Sequence, residues 1–316
     1  MTEPTVTVLM SVFNDRKYVE QAVRSILEQT YRDFEFLIID DGSTDGSVDI
    51  IKRVNDSRIR LISNDRNLGL TKSLNRGIEI ARGRYIARMD ADDFSYPQRL
   101  EKQVEFFETH PEYGLVGTRY RVIDESGILI YDAEVPQTDY EIRTAFLNSN
   151  PFAHSSVMFR KELIKEIGGY REFFRYAQDL DLFIRLSKRS NVYNLSEIFL
   201  DWRLQLKSSS VKYKLLQDRY AQIARECNLK ETLPETGPGI LADFDPAPFK
   251  TRRAKAEGYF KWAKFFYYLR TDYPYKRKYA IGLLLKSLGM HPFFLVKTFL
   301  ISLGNLLKRA LMRRKH

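Results

Sequence analysis

The fold is decided by residues 5–44, which read TVTVLMSVFNDRKYVEQAVRSILEQTYRDFEFLIIDDGST. Residues 5–11 are mostly β-branched or apolar, as expected for a strand that is buried on both faces. Residues 15–29 place apolar side chains four positions apart, which predicts an amphipathic helix, and residues 34–39 (FEFLII) predict a second strand. A strand, a helix and a strand with short connections predict a parallel β-α-β unit.

The alternation of strands and helices continues along the chain. Further strands are predicted at residues 59–63, 84–89, 114–118 and 155–160, and further helices at 48–54, 70–81, 97–109, 139–147, 177–190 and 211–227. Pro97 suits the start of its helix, because an N–H at that position would have no partner. The pattern predicts an α/β fold with a Rossmann-like, mostly parallel central sheet flanked by helices.

The length of the chain suits one catalytic domain with an appendage. Its 316 residues are 44% hydrophobic, which excludes a wholly disordered protein. Residues 233–248 contain four prolines and two glycines, a composition typical of a linker. We therefore predict a catalytic domain at 1–232, a linker at 233–249 and a basic, amphipathic helical tail at 250–316.

Cysteine content and charge restrict the class of protein further. Cys227 is the single cysteine, which excludes an internal disulfide and a Cys-rich zinc module. The chain starts without a basic stretch ahead of an apolar one, so we expect no cleaved signal peptide and a cytoplasmic location. Residues 250–316 hold 17 Lys and Arg against 2 Asp and Glu, whereas the rest of the chain is mildly acidic.

The basic tail also contains a long aliphatic stretch, residues 281–307. A membrane-spanning helix needs about 20 apolar residues in line, and Lys286, Pro292 and Lys297 interrupt this one. These features favour helices that lie on an anionic membrane, and hence a peripheral location on the inner face of the cell membrane. A buried helical subdomain or a homodimer interface is the alternative. Nucleic acid is disfavoured, because long aliphatic stretches separate the basic residues.

Polar residues follow four of the predicted strands, at 11–14, 40–45, 67–69 and 90–93. Ligands of an open parallel sheet bind beyond the carboxyl ends of its strands, so these residues predict one shared binding crevice. Taken alone, the DGSTD sequence that starts at Asp41 fits a turn and a helix N-cap equally well.

Three carboxylates fall within the four positions Asp90-Ala91-Asp92-Asp93. Asp90 and Asp92 are two residues apart on an extended segment and therefore point the same way. Mn²⁺ or Mg²⁺ would relieve their repulsion and link them to a diphosphate, since hard cations prefer oxygen ligands. The sequence contains no P-loop that could hold phosphates with backbone amides instead. A solvated acidic loop is the alternative.

Seven short motifs are spread over residues 5–210. They are VLMSVFN (8–14), IIDDGSTDGS (38–47), NLGL (67–70), RGRYIARMDADD (82–93), HSSVMFR (154–160), GGYR (168–171) and QDLDLFIRL (178–186). This combination resembles family two inverting glycosyltransferases of the bacterial surface-glycan type, which have a GT-A fold. The resemblance implies a nucleotide-sugar donor, usually a UDP-sugar, a divalent metal and inversion at the anomeric carbon.

The resemblance also implies roles for individual residues. Asp41 would meet the nucleotide base, usually uracil, and Asp92 would be the principal metal ligand, with Asp90 near the ribose or the metal. The nucleotide-binding positions would be Ser11, Phe13, Asp41, Asn67, Lys72 and Asp90.

Asp179 would be the general base. An inverting transfer needs no enzyme nucleophile, only a carboxylate that accepts the proton of the attacking hydroxyl. The family usually has Glu-Asp at this point, whereas this chain has Gln178-Asp179. Asp181 is the competing candidate, and its alternative role is a favourable charge at a helix N-terminus.

Three further residues are candidates for contacts with the donor sugar, the acceptor or the diphosphate. By resemblance His154 would contact the donor sugar or the acceptor, but a structural hydrogen bond fits it equally well. Trp202-Arg203 resembles a late loop that folds over the diphosphate, which the planar guanidinium of Arg would suit. A surface ion pair is the alternative for Arg203.

The expected reaction adds one sugar at a time to a lipid-linked saccharide or glycan. Processive synthases of the superfamily carry Gln-x-x-Arg-Trp, whereas residues 222–226 read QIARE. A catalytically inactive sugar-nucleotide-binding partner in glycan assembly is the alternative, and it would neither transfer nor hydrolyse the donor. A nucleotidyltransferase would need a Gly-rich, basic triphosphate loop, which residues 8–16 lack.

Overall fold

The computed structural model describes residues 3–205, 209–229, 245–268 and 275–291. The chain divides into two compact units, the first formed by residues 1–204 with 220–241 and the second by 205–219 with 242–316. Residues 205–219, which we had placed in the catalytic domain, therefore group with the tail. Most of the predicted linker at 233–249 lies outside the described residues.

The first unit contains a nine-stranded sheet in the order β3-β2-β1-β4-β8-β6-β9-β5, with β7 beside β6. The strands are β1 (Val6–Val12), β2 (Phe34–Asp40), β3 (Ile59–Ser63), β4 (Tyr85–Asp90), β5 (Phe94–Ser95), β6 (Tyr113–Ile123), β7 (Leu129–Ala133), β8 (Met158–Arg160) and β9 (Asn191–Arg203). Strands β1 to β4 pair in parallel, and β6 and β9 are parallel to each other. Strands β5, β7 and β8 pair antiparallel to their neighbours. The predicted α/β fold with a mostly parallel sheet is confirmed.

Helices flank this sheet, again as predicted. They are α1 (Val19–Leu27), α2 (Ser47–Arg53), α3 (Leu70–Ile80), α4 (Arg99–Thr109), α5 (Asp139–Phe146), α6 (Lys161–Glu166) and α7 (Gln178–Ser187). Two further helices follow in the chain: α8 (Ser209–Lys212) belongs to the second unit, and α9 (Lys214–Leu229) has residues in both units. Helix α3 packs closely on β1, because a Cβ on Gly77 would lie only 2.2 Å from a methyl carbon of Leu9. Every residue of β1 and β2 is buried, which explains their nearly continuous apolar sequences.

Two predicted elements differ from the structure. The strand predicted at 155–160 is only β8, because His154–Ser156 form a 3₁₀ turn in which both serine hydroxyls are buried and hydrogen-bonded. The helix predicted at 211–227 is divided into α8 and α9 by a turn at Tyr213. Neither the 3₁₀ turn at 154–156 nor the turn at Tyr213 contains a glycine or a proline that would have predicted it.

The described part of the second unit is helical. Helices α10 (Arg252–Tyr268) and α11 (Lys276–Met290) pack together, with the Phe266 and Tyr279 ring centroids 5.2 Å apart and the Ser287 hydroxyl donating to the Ala256 carbonyl over 2.7 Å. No helix within the described ranges is long and apolar enough to cross a membrane. The end of the tail, residues 292–316, lies outside those ranges.

Candidate active site

The carboxyl ends of the first four strands meet at one edge of the sheet. Ser11 of β1 lies beside Asp90 of β4 on one side and beside Ile39 of β2 on the other. Asp40 of β2 in turn pairs with Val12 of β1 and with the last residue of β3. The strand order changes direction between β1 and β4, which is where a ligand crevice is expected in such a sheet.

Hydrogen bonds join the loops that follow β1 and β2. Asn14, which has a left-handed φ of 57°, donates its N–H to the Ser43 hydroxyl over 3.1 Å and accepts the Thr44 N–H over 2.9 Å. Asp45 accepts the N–H groups of Arg16 and Ser47, each at 2.9 Å. Much of the DGSTD segment therefore does form the turn and helix start that we considered as the alternative reading.

Asp41 is held differently from its neighbours. Its side chain is buried, with 1% of the residue exposed. Its Oδ1 accepts the Asn64 side-chain N–H over 2.7 Å and the Leu68 N–H over 2.8 Å, and its Oδ2 accepts the Gly69 N–H over 2.9 Å. The carboxylate thus shapes the loop after β3, and it retains lone pairs for a further N–H donor.

The loop after β3 passes close to the backbone of Gly42. Gly42 has a φ of 79°, and a Cβ there would lie 2.8 Å from the carbonyl carbon of Arg66, so only glycine fits. Asn67 is exposed on the loop, and the Lys72 ammonium lies 3.4 Å from a carboxylate oxygen of Glu172. Phe13, 44% exposed, presents an aromatic surface at the end of β1.

Asp90 is fixed by two partners beneath it. It pairs with the guanidinium of Arg88, which is fully buried, and accepts the Ser155 hydroxyl over 2.7 Å. Burial opposes ionisation of Asp90, but the positive charge of Arg88 and the hydrogen bonds from Ser155 and Arg88 act together against it and are among the causes that hold the pKa below its usual range. Asp90 is therefore an ionised carboxylate at the end of β4.

Further buried charged residues stabilise the acidic segment, residues 90–93. Asp93 is buried and accepts the Arg203 N–H over 2.8 Å. Burial, together with the charge of Asp92, raises the pKa of Asp93 well above its ordinary value. Arg99, also fully buried, donates to the Arg88 carbonyl over 2.6 Å. These contacts fix the backbone from which Asp90 and Asp92 project.

Asp15, which the sequence analysis missed as a site residue, lies within electrostatic reach of the acidic segment. Burial raises its pKa to about 7, and the negative charges of Asp92, Asp90 and Asp45 contribute. Negative charge thus accumulates between the start of α1 and the end of β4. The signal in the sequence was the position of Asp15 directly after the polar end of β1.

The donor set fits a divalent cation that also binds a diphosphate. Within the described ranges, no three acidic, histidine or cysteine side chains converge on one point. The protein would then supply one or two carboxylates, Asp92 and Asp90, while phosphate oxygens and water complete the coordination, as is common for Mg²⁺ sites. Burial and then the charges of Asp92, Asp90 and Asp45 raise the pKa of Asp15, and a cation would relieve the repulsion among these carboxylates.

Asp179 lies on the first turn of α7, half-buried, and faces the same region. Burial raises its pKa, and the charge of Asp90 raises it further. The Asn150 side-chain N–H donates to its Oδ2 over 2.7 Å. A half-buried carboxylate whose pKa is raised, but which keeps room for another donor, has the properties of a general base.

Asp181 is in a different position. It is fully buried and accepts the Arg185 Nε–H over 3.0 Å and the Asn228 side-chain N–H over 2.9 Å, with Arg171 at 3.4 Å. These partners tie α7 to α9 and to the segment before α7. The geometry gives Asp181 a structural role and favours Asp179 as the base.

His154 lies close enough to Arg88 and Asp90 for their charges to act on its pKa. Its Nε2 is 2.7 Å from the hydroxyl of Tyr170. Burial and the nearby charge of Arg88 lower its pKa to about 3, so the ring is neutral at physiological pH. A neutral ring with one nitrogen engaged retains its second nitrogen for a hydrogen bond to a sugar hydroxyl.

Trp202 and Arg203 lie on β9 and not on a loop, in contrast to the resemblance. Arg203 is buried, and its guanidinium donates to the Asp92 carbonyl over 2.8 Å, to the Asp124 carbonyl over 3.1 Å and to Gln21 over 3.0 Å. It is neither a surface ion pair nor an exposed phosphate ligand here. Its contacts position the backbone of the acidic segment.

Comparison with known proteins decides the family. The profile described as "Glycosyl transferase family 2" matches residues 7–168. The chain belongs to glycosyltransferase family 2. It is 35% identical over 212 residues to the O-antigen biosynthesis glycosyltransferase WbnJ of Escherichia coli, covering 65% of this chain and 81% of WbnJ. It is 38% identical over 202 residues to EpsE of Bacillus subtilis, a protein named as a glycosyltransferase, covering 61% of this chain and 71% of EpsE.

Solved structures share the fold of this glycosyltransferase. TarS of S. aureus in complex with UDP-GlcNAc superposes with a TM-score of 0.56 at 16% identity, covering 89% of this chain and 81% of that chain. The mannosyltransferase PcManGT from Pyrobaculum calidifontis, in complex with GDP-Man and Mn²⁺, gives 0.55 at 14% identity, covering 91% and 86%. The GT-A fold expected from the resemblance is confirmed.

The QIARE segment has a structural role in this glycosyltransferase. Residues 222–226 lie within α9, where Ile223 and Ala224 are buried. The Arg225 guanidinium donates to the Phe146 carbonyl at the end of α5 over 2.8 Å. These contacts join α9 to α5.

Proposed function

We propose that this glycosyltransferase is inverting, metal-dependent and non-processive. It moves one sugar from a nucleotide-sugar, first of all a UDP-sugar, to a hydroxyl of a lipid-linked saccharide or glycan. The observation that carries the proposal is the position of Asp179, which is close enough to Asp90 for the charge of one to alter the pKa of the other. A base on α7 and the acidic end of β4 thus border the same space.

Asp179 is the group that takes up the proton. The acceptor hydroxyl oxygen forms a bond to the anomeric carbon while its proton passes to the Asp179 carboxylate. The bond between the anomeric carbon and the diphosphate oxygen breaks, and the electron pair leaves with the nucleoside diphosphate. Attack opposite the leaving group inverts the anomeric centre. Asp92 and Asp90 would hold Mn²⁺ or Mg²⁺, which would supply positive charge for the departing diphosphate.

Asp41 selects the base of the donor. Because it acts as an acceptor toward three N–H groups, it suits a base that offers an N–H. Uracil carries such a group at N3, whereas cytosine has only an acceptor there. Phe13 and Ser11 line this pocket, and Asn67 of the loop after β3 and Lys72 of the first turn of α3 close it. The UDP-GlcNAc bound to TarS supports a uridine donor.

His154 binds the donor sugar or the acceptor as a neutral hydrogen-bonding group. Its lowered pKa excludes it as a proton-transfer group near neutral pH. Arg203 acts on the site indirectly, through the backbone of Asp92. Trp202 remains a candidate for contact with the donor sugar or the acceptor. The name of WbnJ supports a role in the assembly of a surface polysaccharide.

The second unit supports attachment to a membrane that carries the acceptor. Helix α11 exposes four large aliphatic side chains, and basic residues are interspersed on the same helix. Exposed apolar side chains beside lysines are typical of helices that lie in a membrane interface. The aliphatic residues are Ile281, Leu284, Leu285 and Leu288. We therefore place the enzyme on the cytoplasmic face of the cell membrane, and a homodimer through the same surface is the competing explanation.

The proposal is tested with a panel of UDP-, dTDP-, GDP- and CDP-sugars. We expect nucleoside diphosphate release from a UDP-sugar with Mn²⁺ present, loss of release in excess EDTA, and no release from CDP-sugars. Asp92→Asn should reduce the rate about 100-fold or more, because the metal contributes several kcal/mol to the transition state. Asp132→Asn, on the exposed face of β7, is the matched control.

Two results would contradict the proposal. Full activity of the wild-type enzyme in excess EDTA would show that the reaction does not need a metal ion. Tight binding of a nucleotide-sugar without any hydrolysis or transfer would favour the alternative, a catalytically inactive binding partner in glycan assembly.

A further inference from the structure

The side chain of Asn150 connects Asp179 to the backbone of the segment that carries Asn150. Its Nδ2 donates to Oδ2 of Asp179 over 2.7 Å, and its Oδ1 accepts the backbone N–H of Phe152 over 3.3 Å. Asn150 lies in the segment after α5, 29 positions before Asp179 in sequence. The contact to the base is therefore long-range, and none of the chemistry described above uses it.

The two contacts fix which way the amide points. In the reverse orientation, the amide oxygen would face the Asp179 carboxylate and the amide nitrogen would face the Phe152 N–H, so both contacts would be repulsive. Asn150 is thus a donor to Asp179 and an acceptor from the backbone. Each half of the amide meets the group it can bond.

The segment that carries Asn150 is firmly anchored. The Pro151 carbonyl accepts the Asn194 side-chain N–H over 3.1 Å. Phe152 is buried, and its ring centroid lies 5.3 Å from that of Phe183, which is on the same helix as Asp179. The amide and the carboxylate are therefore held by one core, although Asn150 itself is exposed.

We infer that Asn150 is a positioning residue for the general base. Its N–H holds one oxygen of the Asp179 carboxylate and so directs the other toward the acceptor hydroxyl. The inference rests on the proposed role of Asp179 as the base. A hydrogen bond that fixes a catalytic carboxylate contributes to the rate without contacting the substrate.

A double-mutant cycle tests this inference. Asn150→Ala, Asp179→Asn and the double variant are compared in nucleoside diphosphate release from the best donor of the panel, and in UDP binding with Mn²⁺. Asn150→Ala should lower kcat about tenfold or more, as expected for the loss of a hydrogen bond to a charged group, and leave KM for the donor and UDP binding unchanged. In the Asp179→Asn background it should cause no further loss, because its effect passes through that carboxylate.

Two matched variants complete the experiment. Asn150→Asp keeps the size and the acceptor for the Phe152 N–H but removes the donor, so it should reproduce the loss of kcat. Asn148→Ala, on an exposed residue of the same segment, should leave kcat unchanged.

The outcomes are distinguishable. Asn150 would not be a positioning residue if Asn150→Ala had a wild-type rate, or if it lowered the rate equally in the wild-type and Asp179→Asn backgrounds. Either result would leave the assignment of Asp179 as the base intact. A wild-type rate for Asp179→Asn would instead show that Asp179 is not the general base, and Asn150 would then have no base to position.

Discussion

At the scale of the residue, buried arginines allow several carboxylates to share one end of the sheet. Arg88 and Arg99 are fully buried below the acidic segment, and Arg88 pairs directly with Asp90. A buried charge is tolerated only when it is paired and hydrogen-bonded. The positive charges that balance the acidic segment therefore lie in the core, on Arg88 and Arg99.

Asp179 and Asp181 should respond oppositely to the same substitution. Asp181→Asn leaves Arg185 and Arg171 facing an uncharged amide in the core, so we expect a loss of stability of about 1–3 kcal/mol. Asp179→Asn removes the base and should lower kcat about 10²–10⁴-fold, with little effect on stability or on nucleotide binding. Thermal melts and kinetics of both variants check this. If Asp181→Asn were the crippling change and Asp179→Asn mild, the assignment would be wrong by two residues.

Asp15 should make the metal-free protein less stable as the pH rises. Its pKa is about 7 in the folded state against an ordinary value of 3.8, so between these pH values the folded protein binds more protons and loses stability with rising pH. Asp15→Asn should raise stability at pH 8 by about 1–2 kcal/mol, after allowance for solvent screening of a partly exposed group. At pH 4 it should have almost no effect.

The measurement is the melting temperature of both proteins in EDTA at the two pH values. Asp132→Asn, on an exposed residue, serves as the control for a general effect of charge. An equal difference between Asp15→Asn and wild type at both pH values would show that Asp15 is not the titrating group.

The sequence predicted the carboxylates that lie at strand and helix ends, because their chemistry is visible in short motifs. Asp90 ends β4, Asp92 follows it, and Asp179 lies in the first turn of α7. Asn150 could not be predicted in this way, since its role depends on a partner 29 positions away in sequence. Asp15 did leave a signal, its position directly after the polar end of β1, but the charges that act on its pKa lie far along the chain. Arg88 did leave a signal, as a charged residue inside an otherwise apolar strand, and the structure supplies its partner.

At the scale of the element, the first half of the chain was more predictable than the second. Strands β1 and β2 are buried on both faces, so their sequences are continuous apolar runs. Strand β9 mixes buried, half-buried and exposed residues over 13 positions without a regular alternation, and β7 pairs with β6 at the side of the main strand order, so both depend on neighbours that a local pattern does not reveal. We missed both strands for this reason.

Helix α11 should contact the membrane through its exposed aliphatic residues. Ile281 and Leu285 are 58% and 62% exposed, and replacing both with Glu removes apolar area and adds negative charge. Binding to phosphatidylglycerol liposomes should fall about tenfold or more, since burying such a side chain contributes about 1.5–3 kcal/mol. High salt should weaken wild-type binding only in part, because buried apolar area is not screened.

Leu129→Glu on β7 is the control, because Leu129 is similarly exposed but lies in the first unit. Co-sedimentation with liposomes measures binding. Unchanged sedimentation of the double variant would remove the membrane interpretation, and a change from dimer to monomer would support the homodimer instead.

At the scale of the whole molecule, the proposed chemistry and the proposed membrane attachment belong to different units. The predicted site residues lie between Ser11 and Arg203, all within the first unit. The second unit includes the strongly basic tail. Loss of membrane binding should therefore leave donor hydrolysis intact.

The central claim is that this glycosyltransferase inverts the anomeric carbon with Asp179 as base. The most direct measurement is proton NMR of donor hydrolysis, in which water takes the place of the acceptor. An α-linked UDP-sugar should release the β-anomer first, before mutarotation, and the signal should disappear with Asp179→Asn. Initial release of the α-anomer, or an unchanged rate with Asp179→Asn, would contradict the account.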